Sequence, residues 1–334
     1  MRMVMMGTGT FAEATFETLL RERRGDVVGL VTQPDKEMGR RTGSSRQTGR
    51  GMAAIAREAG VPVIQPASVN SPEGLAELAG LRPDLLVVAA YGQILKPAVI
   101  AAGRMGAINV HASLLPKYRG AAPVAHAIMA GETHTGVTII RITPGLDAGE
   151  MLAREPLAID PDETAGELES RLAPLGARLC LETVNRMAAG PVTGVPQDPS
   201  LVTRAPKLTK DTGHIDWTRP AAAIRNHLRA MRPFPTASTW LHREGKPPQR
   251  LAILAGTVRD NPLSLPPGTR LPDRPFAVAT GDGAIDVTAL QPAGKSAMTA
   301  LAFANGCPPR PGDRLGGESI AGESIAGESP GGRS

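Results

Sequence analysis

The run Leu85-Leu86-Val87-Val88-Ala89-Ala90 contains no polar residue. A strand with one wet face alternates apolar and polar side chains; a strand covered on both faces does not. The run is therefore read as a strand buried on both sides, which calls for helices above and below it. Other strands are read through the first half at Val4–Met6, Val27–Thr32, the weaker Val63–Ile64, Ile108–Val110 and Val137–Ile142. Helical patterns separate them. Gly7-Thr8-Gly9 turns into a helix carrying Phe16, Leu19 and Leu20. Ser71-Pro72 reads as an N-cap followed by proline at the first helical position. This alternation predicts an α/β domain with a doubly wound, mainly parallel, Rossmann-like sheet.

A last helix of that domain starts at Thr164, where Thr164-Ala165-Gly166-Glu167 fits a capping box. Leu168, Leu172, Leu175 and Leu179 follow at helical spacing, and Pro174 among them predicts a kink or a break into two helices. The domain is drawn as 1–189. Gly190 to Pro206, rich in Gly and Pro, reads as a linker. Beyond it, in 207–315, one helix at about Ala221–Met231 precedes short strand-like runs at Ala237–Leu241, Leu251–Val258, Phe276–Thr280 and Ile285–Leu290. Turn signals such as Pro266-Pro267-Gly268 and Gly281-Asp282-Gly283 separate them, which predicts a small OB-like β-barrel. The tail, 316–334, repeats Gly-Glu-Ser and is expected to be disordered.

Composition narrows the function classes. Aromatic residues are 3% of the chain, so its cores rest on aliphatic side chains. Two cysteines, Cys180 and Cys307, are too few for a disulfide framework or a zinc cluster, and read as thiols of a reducing cytoplasm. No cluster has metal-ligand spacing. No apolar stretch reaches the roughly 20 residues that span a bilayer, and Met1–Met6 lacks the long apolar core of a secretory signal. A cytoplasmic monomer is expected. The net charge is +5, and 207–315 hold 15 Lys and Arg against 8 Asp and Glu, whereas 1–206 hold 21 of each. A positive field on the C-terminal part suits a polyanion such as nucleic acid, or is simply a solvated basic surface.

The segment Ile108-Asn109-Val110-His111 places Asn109 and His111 on one face of a strand and its exit. Ligands of open α/β sheets bind beyond the carboxyl ends of the strands, so the place is apt. Asp147, in Pro144-Gly145-Leu146-Asp147-Ala148-Gly149, follows the strand Val137–Ile142. If the two strands are neighbours, Asp147 can approach His111. Spacing alone leaves structural alternatives open: an Asn-x-His pair on a strand is often structural, and an Asp between glycines is usually a turn residue.

Family resemblance adds to that reading. Asn109-Val110-His111-Ala112-Ser113-Leu114-Leu115-Pro116, with Lys117-Tyr118-Arg119-Gly120-Ala121-Ala122-Pro123, resembles the signature of the folate-dependent formyltransferases. Gly136-Val137-Thr138-Ile139 and Gly145-Leu146-Asp147-Ala148-Gly149 resemble the family's second block. Ala90-Tyr91-Gly92 and Thr32-Gln33-Pro34-Asp35 also match. Lys207-Leu208, Ile215-Asp216-Trp217, Ala279-Thr280-Gly281-Asp282-Gly283 and Leu290-Gln291-Pro292-Ala293-Gly294-Lys295 are similar to the second domain of the branch that acts on tRNA. The resemblance covers roughly 2–315.

It implies a formyl transfer from 10-formyltetrahydrofolate to an amine, here the α-amino group of initiator methionyl-tRNA, with no metal. Asn109 would donate a hydrogen bond to the oxyanion, and His111, if protonated, would supply a second donor. Asp147 would orient His111 and help relay the amine proton through water. Ser113, Leu114, Leu115 and Pro116 match the folate-contacting stretch, with Tyr91 and Gly92 lining the same cleft; plain core packing is the alternative for Leu114 and Leu115. The basic loop from Gln33 to Gly51 would meet the acceptor end of tRNA through Lys36, Arg40 and Arg41. Arg40 matches the family's loop arginine, and the stretch after Arg41 departs from the family pattern. Other readings are a formyltransferase acting on glycinamide ribonucleotide or an amino sugar nucleotide, a non-enzymatic tRNA binder on this scaffold, and a dinucleotide-dependent oxidoreductase. The last rests on Gly7-Thr8-Gly9-Thr10-Phe11-Ala12, and Val27–Thr32 does not end in the acid that would hold the adenine ribose.

Overall fold

The structure, a computed structural model, describes residues 1–34 and 50–318. The chain divides into two compact units, Met1–Thr212 with Arg229–Pro235, and Gly213–Leu228 with the segment from Thr236 onward.

The first unit alternates as its apolar runs require: β1 (Met3–Gly7), α1 (Thr10–Arg23), β2 (Val27–Val31), α2 (Met52–Glu58), β3 (Val63–Ile64), α3 (Pro72–Gly80), β4 (Leu85–Ala89), α4 (Pro97–Ile100) and β5 (Ala107–His111). Then come β6 (Arg119–Gly120), α5 (Pro123–Met129), β7 (His134–Arg141), β8 (Met151–Ala158), α6 (Ala165–Ala189) and β9 (Arg204–Ala205). The main sheet has the order β3-β2-β1-β4-β5-β7-β8. From β3 to β5 every pairing is parallel, and β7 and β8 are added antiparallel. The apolar run read as doubly covered is β4, all five of whose residues are buried between β1 and β5.

β8 is a strand that composition conceals. From Ala153 onward its half-buried and exposed residues alternate, and it holds Arg154, Glu155 and Pro156. It lies at the sheet edge, where a strand needs only one apolar face and tolerates proline.

The capping box forms: Thr164 Oγ1 accepts from the Glu167 backbone N–H, and the Glu167 carboxylate accepts from the Thr164 backbone N–H at 2.8 Å. The break expected at Pro174 does not occur, because α6 is a single helix of 25 residues. Pro174 and Ser170, whose carbonyl loses its partner, are both exposed, so water can satisfy that carbonyl. The opposite face, with Leu168, Leu172, Leu179 and Val184, is buried and packs on α1 and β7. That burial outweighs the local cost of one proline.

The second unit contains α7 (Ala221–Ala230), β10 (Ser238–Arg243), β11 (Lys246–Arg259), β12 (Arg270–Leu271), β13 (Ala277–Ala279), β14 (Ala284–Pro292), β15 (Met298–Thr299), α8 (Ala300–Gly306) and β16 (Arg314–Gly316), with α7 assigned to this unit through Leu228 and its last two residues to the other. The antiparallel path is β12-β13-β14-β11-β10-β16, with β15 beside β14. A bridge between Thr269 and Arg314 joins its two ends, so the sheet closes on itself. Leu251, Ile253, Phe276, Val278, Ile285 and Leu290 are fully buried in this unit. Under the closure, Arg270 Nη1 meets Asp313 Oδ2 at 3.2 Å, and its guanidinium lies 4.6 Å over the Phe276 ring. Trp217, Phe276 and Phe303 are core residues.

Replacing Pro174 with Ala should restore the missing helical hydrogen bond at an exposed site. We expect a stabilisation of about 1–3 kcal/mol, measured as a higher urea midpoint with an unchanged slope.

Candidate active site

Alternation along β5 turns Val110 toward α6, where its Cγ1 lies against Gly176. Asn109 and His111 therefore stand on the opposite face. β7 runs beside β5 and pairs Asn109 with Ile140 and His111 with Thr138. The chain leaves β7 at Arg141, beside Ile108 on the amino-terminal side of β5, and before β8 begins at Met151 it folds back to set Asp147 against Asn109 and His111.

The three side chains meet there. Asn109 Nδ2 donates to Asp147 Oδ1 at 3.5 Å, and His111 Nδ1 lies 3.7 Å from Asp147 Oδ2. The backbone N–H of Gly120 donates to that same Oδ2 at 2.9 Å. His111 Nε2 is 3.0 Å from the Tyr118 carbonyl, and a carbonyl only accepts, so Nε2 carries the proton of this bond. Both ring nitrogens are thus engaged, and the ring is buried. Asn109 is half-buried, and its second amide N–H has no partner among the described residues. That N–H is the donor best placed for a ligand oxygen.

The reversal is tightly determined. A Cβ on Gly149 would stand 1.8 Å from the Arg141 carbonyl oxygen, so no side chain fits there. Asp147 itself adopts φ 47°, and Tyr118 adopts φ 63°. Left-handed backbone costs a non-glycine residue about 1–2 kcal/mol, and such residues gather where the surroundings impose them. At Tyr118 the ring hydroxyl donates to Glu132 Oε1 at 2.8 Å, and the backbone N–H donates to Thr203 Oγ1 at 2.8 Å. Burial, then the Glu132 carboxylate, push the Tyr118 hydroxyl pKa well up, so it remains a donor.

Residues beyond Gly190 close the site from the other side. β9 pairs in parallel with β6, placing Arg204 beside Arg119 and Ala205 beside Gly120. Gln197 Nε2 donates to the carbonyls of Asp147 and Gly149 at 2.7 and 2.8 Å, while its Oε1 accepts from Arg119 Nε and Nη2 at 3.0 and 2.8 Å. The Arg119 pKa is lowered by burial first and by Arg204 second, with Asp147 opposing. Gln197 was absent from the sequence-based site. A lone Gln in a Gly- and Pro-rich stretch carries no pattern of its own.

The stretch Ser113–Pro116 is largely committed to the fold. Ser113 Oγ donates to the Lys117 carbonyl at 2.7 Å, and the Leu115 N–H and carbonyl bond Thr138 Oγ1 and Arg154 Nη1. Leu115 and Pro116 are buried, and Leu114 is half-buried. The Tyr91 ring lies in a core cluster with Val4, Val31, Leu86 and Leu95, and burial pushes its hydroxyl pKa up to about 12. Its carbonyl accepts from Gln33 Nε2 at 3.0 Å, beside Gly92 at φ 81°. Any part Tyr91 takes in ligand binding falls to its backbone. Gln33 and Thr32 also occupy the end of β2, the position where a dinucleotide enzyme keeps its acid. Lys36, Arg40 and Arg41 lie outside the described residues.

With this geometry in view, the comparisons are specific. The family model described as Formyl transferase matches residues 1–184, and that described as Formyl transferase, C-terminal domain, matches 207–308. The chain belongs to the formyltransferase family. Within it, a methionyl-tRNA formyltransferase of Roseiflexus sp. (strain RS-1) is 42% identical over 96% of each chain. One of Symbiobacterium thermophilum is 44% identical over 92% of each. Among solved structures, the N-formyltransferase from Helicobacter canadensis in complex with folinic acid and dTDP-3-aminofucose has a TM-score of 0.62 at 18% identity, over 86% of this chain and 99% of that one. HypX from Aquifex aeolicus in complex with tetrahydrofolic acid gives 0.57 at 17%, over 91% and 47%. These two share the fold. Family membership removes the oxidoreductase reading.

Gly149→Ala should displace the reversal and Asp147 with it. We expect a stability loss of about 1–3 kcal/mol, read from urea unfolding, accompanied by loss of formyl transfer in the fraction that remains folded.

Proposed function

We propose that the chain transfers the formyl group of 10-formyltetrahydrofolate to the α-amino group of methionine on initiator tRNA. The observation that carries the chemistry is the convergence of Asn109, His111 and Asp147 at the carboxyl end of β5. The acceptor follows from similarity to methionyl-tRNA formyltransferases along nearly the whole chain, both units included.

The chemistry suits these side chains. When the amine attacks the formyl carbon, negative charge gathers on the carbonyl oxygen. The second N–H of Asn109 is the donor for it, and Asp147 fixes the amide through the first. A fixed donor of this kind is worth about 3–4 kcal/mol in the transition state. His111, held between Asp147 and the Tyr118 carbonyl, is a second donor once its ring turns from that carbonyl. Asp147 is the acceptor toward which the amine proton leaves, through water; collapse of the adduct then breaks the bond from the formyl carbon to N10, and N10 takes up a proton as tetrahydrofolate departs. Leu114 and the half-exposed Leu146, beside Asp147, offer apolar surface for the flat pterin.

On this reading 1–189 hold the reacting side chains, 190–206 support the site through Gln197 and β9 before leading onward, and 207–315 grip tRNA backbone through their surplus of seven positive charges. Lys36, Arg40 and Arg41 meet the acceptor end, with the arginines positioning phosphates. The enzyme works as a cytoplasmic monomer. Among the described residues no helix is long and apolar enough to cross a membrane.

The test is to incubate the protein with 10-formyltetrahydrofolate and methionyl-tRNA, with glycinamide ribonucleotide and amino sugar nucleotides as controls. Formyl appearing only on methionyl-tRNA is expected; formyl on a control alone overturns the acceptor. Asn109→Ala should lower kcat by roughly 100- to 1000-fold while tRNA binding persists, and an unchanged kcat removes the oxyanion role. Arg40→Ala should raise KM for tRNA and flatten its salt dependence; an effect on folate KM alone contradicts the loop assignment.

A further inference from the structure

We infer that Gln197 is a positioning residue for formyl transfer: its amide clamps the backbone from Asp147 to Gly149 and thereby fixes the Asp147 carboxylate against Asn109 and His111. The inference rests on the formyl-transfer reading above.

The side chain of Gln197 is fully used. A glutamine amide offers two N–H donors and one oxygen with two lone pairs. Here one N–H goes to the Asp147 carbonyl at 2.7 Å and the other to the Gly149 carbonyl at 2.8 Å. The oxygen takes two bonds from Arg119, at 3.0 and 2.8 Å. The amide cannot flip without setting its NH2 against the guanidinium and its oxygen against two carbonyl oxygens, so its orientation is unique. Arg119 is anchored in turn, because its backbone N–H donates to the Thr203 carbonyl at 3.0 Å and its strand pairs with β9.

The clamp acts where the chain needs it. Asp147 holds a left-handed φ of 47° although it is not glycine. Such a backbone relaxes when nothing retains it. The contacts of its carboxylate with Asn109 and His111 are long, 3.5 and 3.7 Å, and the Gly120 N–H at 2.9 Å is the short bond on that side. Those side-chain contacts do not themselves fix the peptide. Gln197 does, by holding the carbonyls of residues 147 and 149 together. Gln197 and the Gly120 N–H grip opposite ends of Asp147, and both hang on the same β6–β9 pairing. The hydrogen bonds of the Gln197 side chain among the described residues go to Arg119 and to two backbone carbonyls, none to the side chains of Asn109, His111 or Asp147.

The experiment is steady-state formyl transfer by the full chain, wild type against Gln197→Glu and Gln197→Ala, with thermal midpoints and the folded fraction measured on each. Gln197→Glu has the same shape and still accepts from Arg119, yet it sets an oxygen against the two loop carbonyls. We expect kcat to fall roughly ten- to hundredfold in both variants, with KM for folate and for methionyl-tRNA each within about threefold of wild type. The loss should persist after correction for folded fraction. A general structural role would lower the midpoint and spare kcat per folded molecule. An unchanged kcat in Gln197→Glu overturns the inference, as does a rise in KM for tRNA alone, which would make Gln197 an acceptor contact. If Gln197→Ala does not fold, Gln197→Glu decides alone; if that variant also fails to fold, Gln197 supports the fold rather than positions Asp147, and the inference falls. A wild-type protein that transfers no formyl group overturns the underlying reading instead.

Discussion

Asp147 is held by segments far apart in sequence. Its carboxylate faces β5 through Asn109 and His111, and takes an N–H from Gly120. Its carbonyl is gripped by Gln197. A side chain at Gly149 is excluded by the Arg141 carbonyl, so the reversal between β7 and β8 has little freedom to carry the carboxylate elsewhere. The rest of the unit supplies the frame for this meeting. The order β4-β5-β7 makes β7 the neighbour of β5; because the two run antiparallel, β7 ends beside Ile108, and the segment after it must fold back for Asp147 to meet Asn109 and His111.

How much of this was legible follows from the range of the interactions. Buried parallel strands write themselves as unbroken apolar runs, so β1, β2 and β4 were readable, and alternation with Ile108 and Val110 made the shared face of Asn109 and His111 readable too. β8 was not. At a sheet edge it needs one apolar face, and Arg154, Glu155 and Pro156 interrupt the pattern that would announce it. Pro174 misled in the opposite direction: a local rule promised a break, and burial of Leu168, Leu172 and Leu179 along the other face outweighed it. The capping box at Thr164 was readable because all of its partners lie within three residues.

The site divides along the same line. Alternation puts Asn109 and His111 on one face, whereas their meeting with Asp147 depends on β5 and β7 being neighbours, which the sequence left as a condition. Gln197 reaches Asp147 across a separation of 50 residues and Arg119 across 78, and its segment is composed like a linker. Composition sees the glycines and prolines of 190–206 but not the bonds they permit. Tyr91 shows the converse. Its neighbour Gly92 and the motif around it suggest a cleft, whereas the ring is buried among aliphatic side chains and only the carbonyl faces a polar partner. A motif identifies a backbone position more securely than it identifies what the side chain touches.

Charge and geometry thus divide the work between the parts of the chain. The reaction proposed for the first unit asks for one fixed donor, a carboxylate and apolar surface, all of which a neutral segment can supply. Recognition of a polyanion asks for net charge spread over an area, and the surplus lies in 207–315. Keeping these demands apart has a physical advantage. A strongly positive field around Asp147 would stabilise the bare carboxylate and weaken its pull on a leaving proton. Arg119, the guanidinium that does approach Asp147, spends two of its donors on the neutral Gln197 oxygen. That arrangement lets a cation serve the frame of the site while a neutral amide, rather than a salt bridge, makes the final contact with the chain around the carboxylate.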